Sequence, residues 1–494
     1  MSHIQISNLS FTHDGAREPL FQSLNFQMDS SWKLGLVGRN GRGKTTLLQL
    51  LLGKYPHEGS IVSSLPFAYF PYPVEKPDTP ALELLESLCP RAESWQCLRE
   101  LSLLDIEERV LEMPFKTLSN GEQTKLLLAA LFLGETRFLL IDEPTNHLDL
   151  EARETLANYL RRKEGFILVS HDRSLLDTCT DHTLAITPTG IDVQHGSYSV
   201  WRENKDRQEQ FEETQQNKLR HEVTKLSASA ARTSQWSDKV EQSKKGSKNS
   251  GLRPDRGYIG HKSAKMMKRS KSLDNRRQKA LEDAKALLQD AESRDSLKLH
   301  PLTHHAKSLL SLQNLTISYG DSPLFSPLSL RFESGQRLAL RGKNGSGKSS
   351  LLKLLLGEDI PHRGQLTLAS GLIISYVPQS SHHLKGNLDD HAKLCQIDNT
   401  LFKTILRKLG FSREQFEKGI AHYSDGQKKK VLLAASLCQS AHLYIWDEPL
   451  NFIDLPSRLQ IEALILAYEP SLIMVEHDKA FCDTVATDII ALSK

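Results

Sequence analysis

This sequence predicts an α/β chain in which one P-loop domain is built twice and a long α-helical hairpin joins the copies. Three observations carry that expectation. A Gly-rich phosphate loop follows an apolar run at two places. Four motifs recur in one order, offset by 304 to 306 residues. Between the copies the composition changes abruptly, so that residues 201–300 hold 24 Lys and Arg against 15 Asp and Glu. The expected domains are therefore 1–200, a basic helical linker over 201–305 with its tip near 241–262, and 306–494.

The first copy opens on Gly38-Arg39-Asn40-Gly41-Arg42-Gly43-Lys44-Thr45, which follows the apolar run 34–37 and precedes Thr46-Leu47-Leu48. Strand, Gly-rich loop and helix are the context a phosphate loop needs. Backbone N–H groups at Gly38, Asn40, Gly41 and Gly43 close around phosphate oxygens at a helix N-terminus. Lys44 brings a point charge to the β/γ-phosphates, Thr45 a hydroxyl to a magnesium ion, and Thr46 extends the cradle. The second copy repeats this as Gly342-Lys343-Asn344-Gly345-Ser346-Gly347-Lys348-Ser349, with Ser350 next. Gly342, Asn344, Gly345, Gly347, Lys348, Ser349 and Ser350 take the same roles.

The other repeats follow in order. Leu118-Ser119-Asn120-Gly121-Glu122-Gln123 returns as Tyr423-Ser424-Asp425-Gly426-Gln427. The run ending Ile141-Asp142-Glu143-Pro144 returns as Ile445-Trp446-Asp447-Glu448-Pro449, and Val169-Ser170-His171-Asp172 as Val475-Glu476-His477-Asp478. One set of four motifs, twice in one order, is an internal duplication of about 190 residues.

On these motifs the chain resembles the tandem ATP-binding-cassette ATPases over both halves, so the P-loop domains are expected to be ATP-binding cassettes. The family's signature, Leu-Ser-Gly-Gly-Gln, is varied at Asn120 and Glu122 and at Tyr423 and Asp425, with the central Ser and Gly kept. In that family two cassettes pack head to tail. The resemblance therefore implies that ATP on Lys44 is closed over by Ser424 and Gly426, and ATP on Lys348 by Ser119 and Gly121. Asp142 and Asp447 end apolar strands, where a carboxylate can hold Mg²⁺ directly or through water. Glu143 and Glu448 come next, placed to orient or deprotonate the attacking water. His171 and His477 can donate to the γ-phosphate and sense its loss. Phe11 and Tyr319, each following an alternating strand, are expected to stack on adenine. The family's magnesium-binding glutamine is Gln379, in Tyr376-Val377-Pro378-Gln379, but the first cassette reads Tyr69-Phe70-Pro71-Tyr72. A tyrosine has no amide oxygen to offer, so two inequivalent sites are expected.

The middle is read as two helices, about 203–240 and 263–293, around a loop rich in Gly, Ser and Pro. Over 232–279 there are 15 basic against 4 acidic residues. A solvated spacer would mix the signs, so this bias predicts a polyanionic partner. Lys244, Lys245, Lys248 and Arg253 fall near the tip, and Lys265, Lys268, Arg269 and Lys271 at the start of the second helix. Two cassettes joined by such a hairpin resemble the ABC-F class, closest to the Lsa-type antibiotic-resistance proteins. That resemblance implies a monomer with intramolecular cassette pairing that binds the ribosome through large-subunit rRNA and P-site tRNA near the tRNA exit site. The linker would then displace lincosamides, pleuromutilins or streptogramin A from the peptidyl-transferase centre. No DNA or membrane partner is expected.

Six scattered Cys without a CxxC pair fit a reducing cytoplasm. No signal peptide is expected at the N-terminus, and no apolar run approaches the ~20 residues of a membrane helix. Two rivals share the ATP-binding residues: a housekeeping translation factor of the same class, and the motor of an exporter whose membrane part is another chain.

Overall fold

A computed structural model describes residues 3–13, 19–134, 137–146, 148–187, 190–242, 297–320 and 322–493, with positions 261, 264–265, 267–269, 271–273, 275–276 and 278–279. Two compact units are formed: residues 1–201 with 294–494, and residues 202–293.

The first unit contains both cassettes, and each pairs an antiparallel sheet with a larger, mostly parallel one. In the first cassette His3–Phe11 lies between Phe21–Asp29 and Glu58–Ser63. Its residues alternate, with Ile4, Ile6, Leu9 and Phe11 buried, as expected of a sheet that is half solvated. The larger sheet runs Phe67–Phe70, Phe138–Asp142, Phe166–Val169, Lys33–Val37, His182–Thr187 and Gly190–His195. Its central strands do not alternate: all of Phe138–Asp142 and Phe166–Val169 is buried, because helices cover one face and the antiparallel sheet with the helix Lys44–Leu51 covers the other. The strand Lys33–Val37 pairs in parallel with Phe166–Val169 on one side and His182–Thr187 on the other. The P-loop thus leaves the carboxyl edge of the sheet beside the loops that carry Glu143 and His171, where open α/β sheets bind ligands.

The second cassette repeats this. Its parallel sheet runs Ile374–Val377, Leu443–Asp447, Leu472–Val475, Arg337–Arg341 and Asp488–Ala491, and Ser308–Ile317 centres the antiparallel one. Each signature motif begins a 14-residue helix, Asn120–Leu133 or Asp425–Cys438.

The helix Tyr198–Gln242 is 45 residues long, or about 65 Å at 1.5 Å per residue. It starts earlier than the sequence suggests because Tyr198 and Trp201 pack into the core of the first cassette. At the other end the linker was expected to reach 305, but Leu297 and Leu299 are buried in the core of the second cassette. In the second unit Lys265, Lys268, Arg269 and Lys271 are helical and exposed. Phe211, on the helix Tyr198–Gln242, is exposed as well. Lys244, Lys245, Lys248 and Arg253 lie outside the described residues. Among the described residues no helix is long and apolar enough to cross a membrane.

Candidate active sites

Each P-loop ends on a glycine in the left-handed region, Gly43 at φ 87° and Gly347 at φ 90°. A Cβ on Gly43 would lie 2.7 Å from the Phe21 ring, so the loop needs glycine for both conformation and space. Lys44 and Lys348 are buried and fold back on their own loops. Lys44 Nζ donates to Gly38 O at 2.8 Å, and Lys348 Nζ to Gly342 O at 2.7 Å. Burial lowers the pKa of both ammonium groups. A phosphate would replace those carbonyls and restore the full charge.

Thr45 Oγ1 donates to Asp142 Oδ2 at 2.7 Å, and Ser349 bonds Asp447 in the same way. Burial raises the pKa of both aspartates. Asp447 Oδ1 is buried without a hydrogen-bond partner. An unsatisfied carboxylate oxygen beside a hydroxyl fits a hard, oxygen-seeking cation such as Mg²⁺. Bound there, such an ion would neutralise charge on phosphate oxygens.

Glu143 and Glu448 sit just past their strands. Their amides still pair, Glu143 N to Val169 O and Glu448 N to Val475 O, both at 2.9 Å. Both residues then turn into the left-handed region, at φ 50° and 47°. A non-glycine residue held there stores about 1–3 kcal/mol. The turn aims each carboxylate at its histidine: His171 Nε2 is 3.3 Å from Glu143 Oε1, and His477 Nε2 is 3.5 Å from Glu448 Oε1.

Their surroundings then diverge. Burial pushes Glu143 up to about 7, against the opposing charge of Lys44. Burial also raises Glu448, but hydrogen bonds from His477 and Gln379 outweigh it and hold the group at about 2. Asn451 Nδ2 adds a donor to Glu448 at 2.5 Å. The first cassette has no equivalent of Gln379. Tyr72 turns away and donates to Leu127 O at 3.2 Å. Tyr69 lies closer, its hydroxyl 3.1 Å from Asp142 Oδ2.

The structure moves one expected residue. Phe11 is 8% exposed and packs into the core, because it continues the inward-facing set of its strand. Tyr319, by contrast, is 59% exposed, and its hydroxyl donates to Ser350 Oγ at 3.1 Å. The first-cassette residue with those contacts is His13, which is exposed, reaches Thr46 Oγ1 at 3.5 Å and rests edge-on against Phe11 at 4.8 Å. His13 and Tyr319 are 306 residues apart, the same spacing as His171 and His477. Aligning by that offset, rather than choosing the nearest aromatic, would have found it.

The cassettes face each other across both P-loops. A cavity of about 790 Å³ is lined by Ser119, Asn120 and Gly121 from the first cassette and by Lys348, Ser349, Glu448 and His477 from the second. Ser119 and Ser424 each cap their signature helix, accepting from Glu122 N and Gln427 N at 3.3 Å. Both are closed capping boxes: Ser119 N and Oγ donate to the Glu122 carboxylate at 2.8 and 2.6 Å, and Ser424 N to Gln427 Oε1 at 3.0 Å. Across the other interface Asn40 N donates to Asp454 Oδ2 at 3.3 Å and Asn40 Nδ2 to Phe452 O at 2.9 Å. Outside the sites, Arg173–Glu462 at 2.6 Å and Lys479–Glu154 at 3.0 Å bridge the cassettes.

Gly426 is packed more tightly than Gly121. A Cβ there would meet Phe452 O at 2.4 Å, whereas at Gly121 it would meet only the Leu148 side chain at 3.2 Å. Gly426→Ala is expected to cost about 1–3 kcal/mol, as overpacking against backbone does. Gly121→Ala should cost less than about 1 kcal/mol, because a leucine tip can shift. Denaturant midpoints at unchanged slope measure both.

A model of the ABC transporter family matches residues 21–146 and again 325–451. The ribosome protection protein VmlR of Bacillus subtilis is 28% identical over 499 residues, covering 99% of this chain and 86% of that one. YfmM of the same organism, an uncharacterized ABC transporter ATP-binding protein, is 26% identical and covers 99% of this chain and 98% of its own. The solved archaeal ribosome recycling factor aABCE1 superposes with a TM-score of 0.63 at 18% identity, over 98% of this chain and 87% of that one. Two family matches, each spanning a P-loop and the Asp–Glu strand end behind it, establish that the chain belongs to the ABC transporter family as a tandem-cassette, ABC-F-type ATP hydrolase.

Proposed function

We propose that this ATPase binds the ribosome in its ATP-closed state and protects it from antibiotics of the peptidyl-transferase centre. The observation that carries the first half is the cavity joining Ser119 and Gly121 to Lys348, Glu448 and His477. ATP there would be held by both cassettes at once, so nucleotide and closure favour each other. In each site the P-loop binds the phosphates, with Thr45 and Asp142, or Ser349, Asp447 and Gln379, as the Mg²⁺ ligands. Glu143 and Glu448 align the attacking water, and His171 and His477 hold the γ-phosphate. Hydrolysis removes the bridge between the cassettes and resets them. His13 and Tyr319 are the adenine-facing rings.

The second half rests on the linker and on similarity. Exposed Lys265, Lys268, Arg269 and Lys271 suit an RNA backbone, which cations bind with little sequence demand. The VmlR relative is by name a ribosome protection protein. In this reading the hairpin enters from the tRNA exit site beside P-site tRNA and contacts large-subunit rRNA. Its tip, with Lys244, Lys245, Lys248 and Arg253, unseats lincosamides, pleuromutilins or streptogramin A. The protein works as a cytoplasmic monomer.

The test is the minimum inhibitory concentration of one drug from each class in a sensitive bacterium, with and without the chain. A several-fold rise that the Glu143→Gln/Glu448→Gln variant abolishes supports the reading. No rise from a ribosome-associated protein would leave a translation factor without a drug role. Removing 243–257 is expected to leave ATP turnover within about twofold, since none of the nucleotide-binding or catalytic residues lies in that segment, and to abolish the rise in resistance. Resistance that survives the cut would disprove the role of the tip.

A further inference from the structure

The second cassette contains a buried ammonium group that the first lacks. Lys429 lies on the signature helix Asp425–Cys438 and is 3% exposed. Its Nζ donates three bonds to backbone oxygens: Pro378 O at 2.8 Å, Gln379 O at 2.9 Å and Asp447 O at 3.2 Å. Two of these oxygens belong to the segment that carries Gln379, and the third to the strand end that carries Asp447 and Glu448. The counterpart in the first cassette is Thr124, whose hydroxyl only returns to Asn120 O on its own helix.

A second difference accompanies this one. Ser170 of the first cassette bonds Thr145 and Asp172 N, but its counterpart is Glu476, a buried carboxylate accepting from Leu450 N at 3.3 Å and His477 N at 3.2 Å. The Lys429 ammonium faces the charges of Glu476, Asp447 and Glu448. A buried charge persists only when it is paired and hydrogen-bonded, and here both conditions are met by groups around one site.

We propose that Lys429 is a positioning residue of the second site: it pins the Gln379 segment to the end of the Asp447 strand, so that Gln379 and Glu448 meet the nucleotide in register. Gln379 already bonds Glu448, and both line the cavity that holds Lys348 and Ser349. The first cassette, with Thr124 and Tyr72 at these places, has neither the pin nor the amide to be pinned. Lys429 thereby makes the Lys348 site the faster of the two.

The experiment uses the full chain carrying Glu143→Gln, so that turnover reports the second site. Into it go Lys429→Thr, the residue of the first cassette, and Lys429→Arg. For Lys429→Thr the expected result is a kcat lowered between about ten- and hundredfold, the scale of a misplaced positioning group, with KM for ATP within about twofold. The Mg²⁺ concentration that half-saturates binding of a fluorescent ATP analogue should rise as well, read without turnover. Lys429→Arg, which keeps the charge but cannot give three carbonyls one compact donor, should fall between. If Lys429→Thr does not fold, Lys429→Arg decides by the same two readouts. An unchanged kcat and Mg²⁺ midpoint would overturn the proposal. So would a loss of turnover that matches the loss of folded protein with the Mg²⁺ midpoint unmoved, because that is the behaviour of a structural lysine.

Discussion

Glu143→Gln/Glu448→Gln is expected to lower ATP turnover by about 10²–10⁴-fold, the usual contribution of a positioned general base. Glutamine keeps the shape and the left-handed backbone of each position, so the loss reads chemistry rather than folding. The single variants should not share it equally. Glu448 is held by His477, Gln379 and Asn451. Glu143 has Oε1 buried without a hydrogen bond although His171 is 3.3 Å away. A carboxylate already aimed by three donors loses little entropy in orienting water. Glu448→Gln alone is therefore expected to account for most of the lost turnover and Glu143→Gln for the smaller part, measured as phosphate release at saturating ATP. Equal losses would show that the differences around the two glutamates have no catalytic consequence.

What the sequence displayed plainly were groups whose chemistry demands a residue type at a fixed spacing. A phosphate loop cannot be built without its glycines and lysine, and a strand-end Asp-Glu pair is conspicuous at the close of an apolar run. The duplication reinforced these, since each motif could be checked against its copy. Less legible were residues whose role depends on which way a side chain faces. Phe11 looked like an exposed ring because it follows a strand, but the inward-facing set of that strand includes it and leaves His13 outside. Tyr72 was visible as a missing amide, but not that its hydroxyl would turn to Leu127. Lys429 could not be found at all from periodicity. It stands within Lys428-Lys429-Lys430, which resembles a solvated run until the helix packs and buries two of the three. The linker end was misjudged for a related reason: Leu297 and Leu299 follow a charged stretch, and only packing shows that the core of the second cassette has begun.

These differences have one direction. The second cassette supplies the amide, the buried lysine and the fully bonded glutamate, and the cavity at its P-loop is lined by Lys348, Ser349, Gln379, Glu448 and His477. The first cassette keeps the P-loop, Asp142, Glu143 and His171 but gives Glu143 fewer donors, although Asp142 is bonded by both Thr45 and Tyr69. In return the Lys44 site receives the more strongly anchored cross-cassette contact, from Asp454. On the proposed role of Lys429, the Lys348 site would set the timing of hydrolysis while the Lys44 site, bridged by Asp454, would keep the cassettes closed.

Asp454→Ala tests that anchor, with a large expected effect on stability. Asp454 is fully buried. Its Oδ2 lies 2.6 Å from Lys430 Nζ, its Oδ1 accepts from Ser457 N at 2.9 Å to cap the helix Leu455–Tyr468, and Oδ2 also accepts from Asn40 N of the other cassette. Removing the carboxylate leaves the buried Lys430 ammonium with Leu409 O as its remaining bonded partner. Breaking one side of such a pair costs about 3–5 kcal/mol. Asp149, the counterpart, lacks this dependence. It accepts from Ala152 N and Asn344 N, while Lys125 bonds Asp105 O instead. Asp149→Ala should therefore cost only about 1 kcal/mol, the value of a helix cap. Replacing both charges, as Lys430→Met/Asp454→Leu, should recover much of the stability, because the unpaired ammonium is gone. It should not recover the bond to Asn40, so closure over the Lys44 site stays weakened in a folded protein. The pH dependence has a definite sign. Burial raises the Asp454 carboxyl, but the charge and hydrogen bond of Lys430 outweigh it and hold the group below its ordinary 3.8. Its contribution is thus fully present above that value and is lost as pH falls through the folded-state pKa. The stability gap between the wild type and the double variant should be constant from about pH 5 to 8 and narrow only below about 4. A gap that varies between pH 5 and 8 would mean that another group supplies the difference.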